Sequence, residues 1–195
     1  LAVDELECSV INAGDGWHAH PSQALLDLFT VRKQLGDLSG KKLVILGDIL
    51  HSRVARSNIW GFTRMGMKVV LCGPPTLLPW NFGKILDSTE LLSIELDADK
   101  AIDDADVVMA LRIQKERMQG GALPDLREYS AFYGVNNMRL SKAKPGVVVM
   151  HPGPINQGVE ISSDVAYGAR SAIEEQVANG LAVRMAIFYL LAGGR

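Results

Sequence analysis

The chain has 195 residues, 48% of them hydrophobic and 22% charged, with a formal net charge of −2. That composition describes a globular protein of one or two domains with a sizeable core. With acidic and basic residues interspersed, it makes no electrostatic case for nucleic acid. Cys8 and Cys72 form no CxxC and no Cys/His metal spacing, so no metal and no disulfide framework is expected. Both lie in apolar, strand-like runs and are expected as buried free thiols of a reducing cytoplasm. Leu1–Val10 carries Asp4, Glu5 and Glu7 and no basic leader, so no signal peptide is expected. The first residue is Leu rather than Met, so a fragment or a processed product is expected. The most apolar tract, Leu181–Ala192, contains Arg184 and is too short to cross a bilayer, so it reads as a core or interface helix.

In chain order, Ser9–Ile11 is strand-like and gives way to the turn cluster Asn12–Gly16. Residues 21–35 are helical, with Leu25, Leu28 and Phe29 on one face and Gly36 as the stop. Lys42–Leu46 is a buried strand ending in Gly47-Asp48, followed by a helix from about Ser52 to Met65 and a strand over Lys68–Cys72. A weaker helical pattern starts near Trp80. Then come a strand over Leu92–Leu96, a short acidic helix over Asp97–Ala105 and a strand over Val107–Leu111. Short helices over Asp125–Tyr133 and Met138–Ala143 precede the strand Val147–Met150. A long helix over Ala169–Leu191 spaces Ile173, Val177 and Leu181 four apart. Alternating strands and helices predict a mostly parallel, Rossmann-like α/β sheet with helices on both faces. Ligands of such sheets collect at the carboxyl ends of the strands.

Four polar clusters sit at those ends or open a helix. In His20-Pro21-Ser22-Gln23, Pro21 suits the first helical position. An imidazole N–H there can polarise a carbonyl oxygen, and the Gln23 amide can hold an amino group. Gly47–Arg53 follows a strand and opens a helix but lacks GxGxxG, which argues against a dinucleotide. Arg53 can instead pair with a carboxylate. Arg112 and Gln114 project from the same side of an extended segment and suit an ω-carboxylate, with Glu116 behind Arg112 to fix its fork. His151-Pro152-Gly153-Pro154 can continue neither strand nor helix and offers free backbone carbonyls to an amine. Each cluster alone has a plainer reading: a helix cap, a surface Arg beside Asp48, an exposed charged loop, a rigid connection. Their order and shared location carry the weight.

GDGxxxHPxQxLLD (Gly14–Asp27), GDxxxSRV (Gly47–Val54), RxQxER (Arg112–Arg117) and HPGPxNxGxE (His151–Glu160) together resemble the aspartate carbamoyltransferase catalytic chain. The likeness covers essentially all 195 residues. The related ornithine enzymes typically carry Cys after the late His, where this chain has Pro152. The resemblance implies that His20 and Gln23 contact carbamoyl phosphate. It also implies that Arg53, Arg112 and Gln114 bind the carboxylates of L-aspartate, and that carbonyls of the Pro152-Gly153-Pro154 turn orient its amine. His20, Gln23 and Arg53 would then be catalytic, Glu116 supporting, and no metal or cofactor required. On this reading residues 1–195 are the aspartate-binding half, with an α/β core over about 37–167. The helices over about 21–35 and 169–191 would bridge to a carbamoyl-phosphate domain whose Ser-Thr-Arg-Thr-Arg motif is absent here. The expected activity is carbamoyl transfer to L-aspartate in pyrimidine biosynthesis, in a cytoplasmic homo-oligomer (a trimer in the family) that needs the other half to turn over. A dihydroorotase or regulatory chain is a possible partner; membrane and nucleic acid are not expected. The alternative is a non-catalytic aspartate-binding or assembly module of the same descent.

Overall fold

The computed structural model describes residues 8–79, 89–113 and 125–193. Five strands, β1 (Lys42–Leu46), β2 (Lys68–Cys72), β3 (Leu92–Glu95), β4 (Val107–Ala110) and β5 (Val148–Met150), form one sheet in the order β3-β2-β1-β4-β5. Every pairing is parallel, with Leu46 beside both Cys72 and Ala110. Because side chains alternate across a strand, Leu43 and Ile45 face one side of β1 and Val44 and Leu46 the other. Both sets are buried, which is why the strand reads as an unbroken apolar run.

One face packs against α1 (Pro21–Leu35) and α2 (Arg53–Arg64) through Val31, Ala55, Ile59 and Phe62. The other is covered by α3 (Ala98–Ile102), α5 (Asn137–Leu140) and α6 (Ser163–Ala166), through Ala101, Ile102, Leu140 and Val165. The expected sheet with helices on both faces is therefore present. The helix α4 (Leu126–Tyr133) buries Tyr129, and α7 (Ile173–Phe188), extended by a wider turn over Tyr189–Gly193, lies against α1. Ser52 caps α2 by accepting from the Ala55 N–H at 3.1 Å, and Gly36 ends α1 with φ +72°, a value that favours glycine.

Several expectations are corrected. Ser9–Ile11 forms no strand, and Cys8 is exposed; it lies outside the sheet that buries Cys72. The last long helix starts at Ile173 rather than Ala169, because the backbone just before it is drawn beside β5: Val149 N–H donates to Arg170 O and Ala172 N–H to Val149 O. Of the expected apolar face of α1, Leu28 packs against the core while Leu25 and Phe29 stay exposed, and the buried side mixes Ala24, Leu26 and Val31 with Gln23, Asp27 and Thr30. In the same way α7 exposes Val177 and Leu181 and buries Gln176, Asn179 and Gly180. The helical run Ile173–Gly193 reaches 21 residues, long and apolar enough to cross a membrane by length and composition alone. Arg184 falls within it, and its first turns dock on α1 through Gln176 and Asn179. The helix expected near Trp80 falls outside the described residues.

Candidate functional site

The sheet order sets the place. The chain runs β1 to β2 to β3 in one direction, then crosses back so that β4 lies on the other side of β1. In sheets of this kind ligands bind where the order reverses, which here is above the carboxyl ends of β1 and β4. The β1 end delivers Gly47-Asp48 and then α2 with Arg53 as its first residue. The β4 end delivers Leu111 and Arg112, held alongside by the Leu111 N–H to Leu46 carbonyl bond at 2.8 Å. Gly47 has φ +129°, and a Cβ there would sit 2.9 Å from the Leu111 carbonyl oxygen, so only glycine lets the two loops approach this closely.

His20 is brought to the same end by its N–H, which donates to Ser57 Oγ on α2 at 2.8 Å. Its Nδ1 lies 3.3 Å from Ser22 Oγ, which leaves Nε2 for a ligand. Partial burial, and then the positive charges of Arg53 and Arg184, hold the imidazole below its usual pKa, which favours the neutral ring. Arg53 lies over the Asn12–Gly16 turn: a Cβ on Gly14 would come within 2.7 Å of the Arg53 Cζ. With φ +118°, Gly14 supplies both the turn and the space.

Gln23 is buried, and its Nε2 donates to Asp27 Oδ1 at 3.0 Å, which leaves the amide oxygen as its outward acceptor. Asp27 also accepts from Asn58 Nδ2 at 2.7 Å and from Gln176 Nε2 at 2.8 Å. Burial outweighs these donors and pushes the carboxyl up to about 6.

The His151–Pro154 turn follows β5. His151 is buried, and its N–H donates to Gln176 Oε1 at 3.0 Å. The Gly153 N–H donates to His151 Nδ1 at 2.9 Å, so the ring carries its proton on Nε2, 3.2 Å from Glu160 Oε1. The same Glu160 oxygen accepts the Asn156 N–H at 2.6 Å, and Asn156 Nδ2 reaches the Ile113 carbonyl at 3.3 Å. His151 thus braces the turn from inside and ties it to the β4 loop. Gly153, with φ +69°, allows the chain to reverse, and the bond to Pro154 is cis.

His20, Gln23, Arg53, Arg112 and the Pro152-Gly153-Pro154 turn therefore gather at one end of the sheet; Gln114 and Glu116 lie outside the described residues. Sequence reasoning missed Asn58 and Gln176, whose only signal is burial, and gave no role to Asp27 and Glu160, which close two of the motifs, or to Arg184, whose charge reaches His20 from α7. Asp48 is buried and pairs with His51 Nδ1 at 2.9 Å, with Trp17 edge-on to that ring. Arg56 donates to the Leu50 carbonyl at 3.3 Å, a structural role. Burial pushes the Cys72 thiol up to about 12, which makes it inert. Among the described residues no three His, Cys, Asp or Glu side chains gather as a metal site requires.

Residues 39–191 match the family model described as "Aspartate/ornithine carbamoyltransferase, Asp/Orn binding domain", and residues 1–33 match the carbamoyl-P binding domain of the same family. The two matches meet at the end of α1. An aspartate carbamoyltransferase catalytic subunit from Roseiflexus sp. (strain RS-1) is 61% identical over 194 residues, covering 99% of this chain and 60% of its own length. Its counterpart from Pelotomaculum thermopropionicum is 60% identical, covering 100% and 61%. The chain thus spans about 60% of the length of these curated relatives. Among solved structures, aspartate transcarbamoylase from Trypanosoma cruzi with carbamoyl aspartate and phosphate superposes with a TM-score of 0.81 at 30% identity, over 91% of this chain and 57% of that one. Ornithine carbamoyltransferase from Pyrococcus furiosus gives 0.79 at 27% identity, over 91% and 58%.

Proposed function

Because the chain belongs to the aspartate/ornithine carbamoyltransferase family, we propose that it supplies the L-aspartate site for carbamoyl transfer from carbamoyl phosphate to L-aspartate. The products are N-carbamoyl-L-aspartate and phosphate. One observation carries the reading: the Arg53 and Arg112 loops leave adjacent parallel strands at the point where the sheet order reverses. Two guanidinium groups on the rims of one crevice suit a dicarboxylic amino acid, each able to take a carboxylate through paired N–H donors. L-Aspartate rather than L-ornithine is favoured by the relatives at 50–61% identity, all named for aspartate.

In this mechanism the turn carbonyls at Pro152 and Gly153 orient the aspartate amine. The amine nitrogen attacks the carbamoyl carbon, and the neutral His20 donates its N–H to the oxygen on which charge develops. The Gln23 amide oxygen accepts from the carbamoyl NH2. The carbon–oxygen bond to phosphate then breaks, and the phosphate leaves with the bonding pair and takes up the proton that the amine gives up. No protein nucleophile is needed, so the chemistry rests on positioning and oxyanion stabilisation. Phosphate contacts belong to the carbamoyl-phosphate side, of which this chain matches residues 1–33.

Two assays test this: product formation from carbamoyl phosphate and L-aspartate by the chain alone, and by the chain mixed with a separately supplied carbamoyl-phosphate domain. Turnover in the mixture with aspartate and none with ornithine is the expected result. No turnover in either, with no L-aspartate binding, would leave the alternative of an assembly module, which the exposed apolar side of α7 favours.

A further inference from the structure

Asp27 is wholly buried and takes no part in the transfer described above, yet it stands at the junction of three elements that carry the site. Its Oδ1 accepts from Gln23 on α1 and from Gln176 on α7, and its Oδ2 accepts from Asn58 on α2. Gln176 passes the link on, because its other amide atom, Oε1, accepts the His151 N–H at 3.0 Å. A carboxylate can only accept, whereas a glutamine amide has a donor end and an acceptor end. Whatever occupies the Asp27 position therefore sets which way round both glutamines sit. With an acceptor there, Gln23 must turn its oxygen outward and Gln176 must turn its oxygen to His151. With no acceptor, nothing holds either amide in that sense, and a turned Gln176 would set an N–H against the His151 N–H.

We propose that Asp27 is a positioning residue for the ligand crevice: its acceptor-only carboxylate fixes the orientation of the Gln23 and Gln176 amides and so couples the carbamoyl-facing end of α1 to the His151–Pro154 turn. This rests on the functional reading above, in which those two features hold the two substrates. The burial that raises the carboxyl's pKa is consistent with the role. An ionised group enclosed in this way costs stability, which a purely structural residue has no reason to bear.

Three variants, read by nitrogen-15 NMR of the amides and by calorimetry with L-aspartate at pH 7.5, test the coupling. Asp27→Leu removes the acceptor from both arms. The side-chain amide of Gln23 and the backbone amide of His151 should both move, and L-aspartate affinity should fall about tenfold or more, the loss expected for one to two hydrogen bonds. Gln176→Met cuts only the arm to the turn: the His151 signal should move, the Gln23 signal should stay, and affinity should fall by a similar factor. Asp27→Asn keeps one oxygen for the two glutamines and can give its amide to a turned Asn58, so it should hold affinity within about threefold of the parent. Unmoved Gln23 and His151 signals in Asp27→Leu, or parental affinity in Gln176→Met, would overturn the proposal. If Asp27→Leu does not fold, Gln176→Met still decides it. A parent chain that binds no L-aspartate would count against the functional reading, while the amide shifts would still judge Asp27.

Discussion

The interiors of α1 and β1 differ, because only α1 buries polar residues beside its aliphatic ones. In β1 every inward position is aliphatic, and burial of Leu43, Val44, Ile45 and Leu46 follows from apolarity alone. The paired helices α1 and α7 meet through Asp27, Thr30, Gln176 and Asn179, with Leu26 against Gly180, while Leu25, Phe29, Val177 and Leu181 stay outside. Asn179 Nδ2 donates to Thr30 Oγ1 at 2.9 Å, and Lys33 pairs with Glu175 at 2.6 Å along the same seam. The sheet therefore supplies cohesion, and the helix seam supplies orientation at the mouth of the crevice.

Four changes probe that division, beginning with the largest. Phe62, fully buried beneath α2, belongs to the cohesive part, so Phe62→Ala should lose about 3–5 kcal/mol in chemical denaturation. The seam should respond to pH instead. Asp27 has a folded-state pKa of about 6 against an ordinary 3.8. Between those values the folded chain keeps a proton that the unfolded chain has released. Its favourable contribution is full below pH 3.8 and is lost as the pH rises through 6, by about 3 kcal/mol. Asp27→Asn lacks this titration, so denaturation series at pH 4 and pH 7 should show the variant gaining on the parent by that amount. A constant difference would show that Asp27 does not titrate there.

Glu160 braces the turn through two hydrogen bonds at one oxygen. Glu160→Ala should cost about 1–3 kcal/mol, as for buried partners left unsatisfied, and should lower L-aspartate affinity as well. The smallest effect should come from the outer side of α7: Leu181 is 65% exposed, so Leu181→Ser should change stability by no more than about 0.5 kcal/mol. Sedimentation should nonetheless show less self-association, because that side presents a contiguous apolar surface.

Strand positions were legible because a strand buried on both faces needs only an apolar run bounded by turn residues, and LVIL over Leu43–Leu46 is such a run. The span of α1 was legible from Pro21 and Gly36, but its inward face was not. Periodicity ranks faces by hydrophobicity, and here the buried face carries Gln23, Asp27 and Thr30 beside Ala24, Leu26 and Val31. Asp27 was visible only as the last residue of a motif; the partners supplied by α2 and α7, from 31 and 149 residues away, reveal its burial. The start of α7 was misplaced because pairing of residues 170–172 with β5 is a tertiary effect. Three of the site clusters were readable by position, since each follows a strand, and His20–Gln23 was readable from Pro21 opening a helix. The brace Gln176 was not, because nothing local marks it, and Glu160 was visible only as the last residue of HPGPxNxGxE, with no role assigned to it.

The central claim is that Arg53 and Arg112 hold one dicarboxylic ligand between them. Calorimetric titration of L-aspartate into the parent chain, Arg53→Ala, Arg112→Ala and the exposed control Arg64→Ala tests it most directly. Binding by the parent and the control, weakened roughly thirtyfold or more (about 2 kcal/mol) in each of the other two, is the predicted result. Equal heats in all four proteins, or none in the parent, would contradict it.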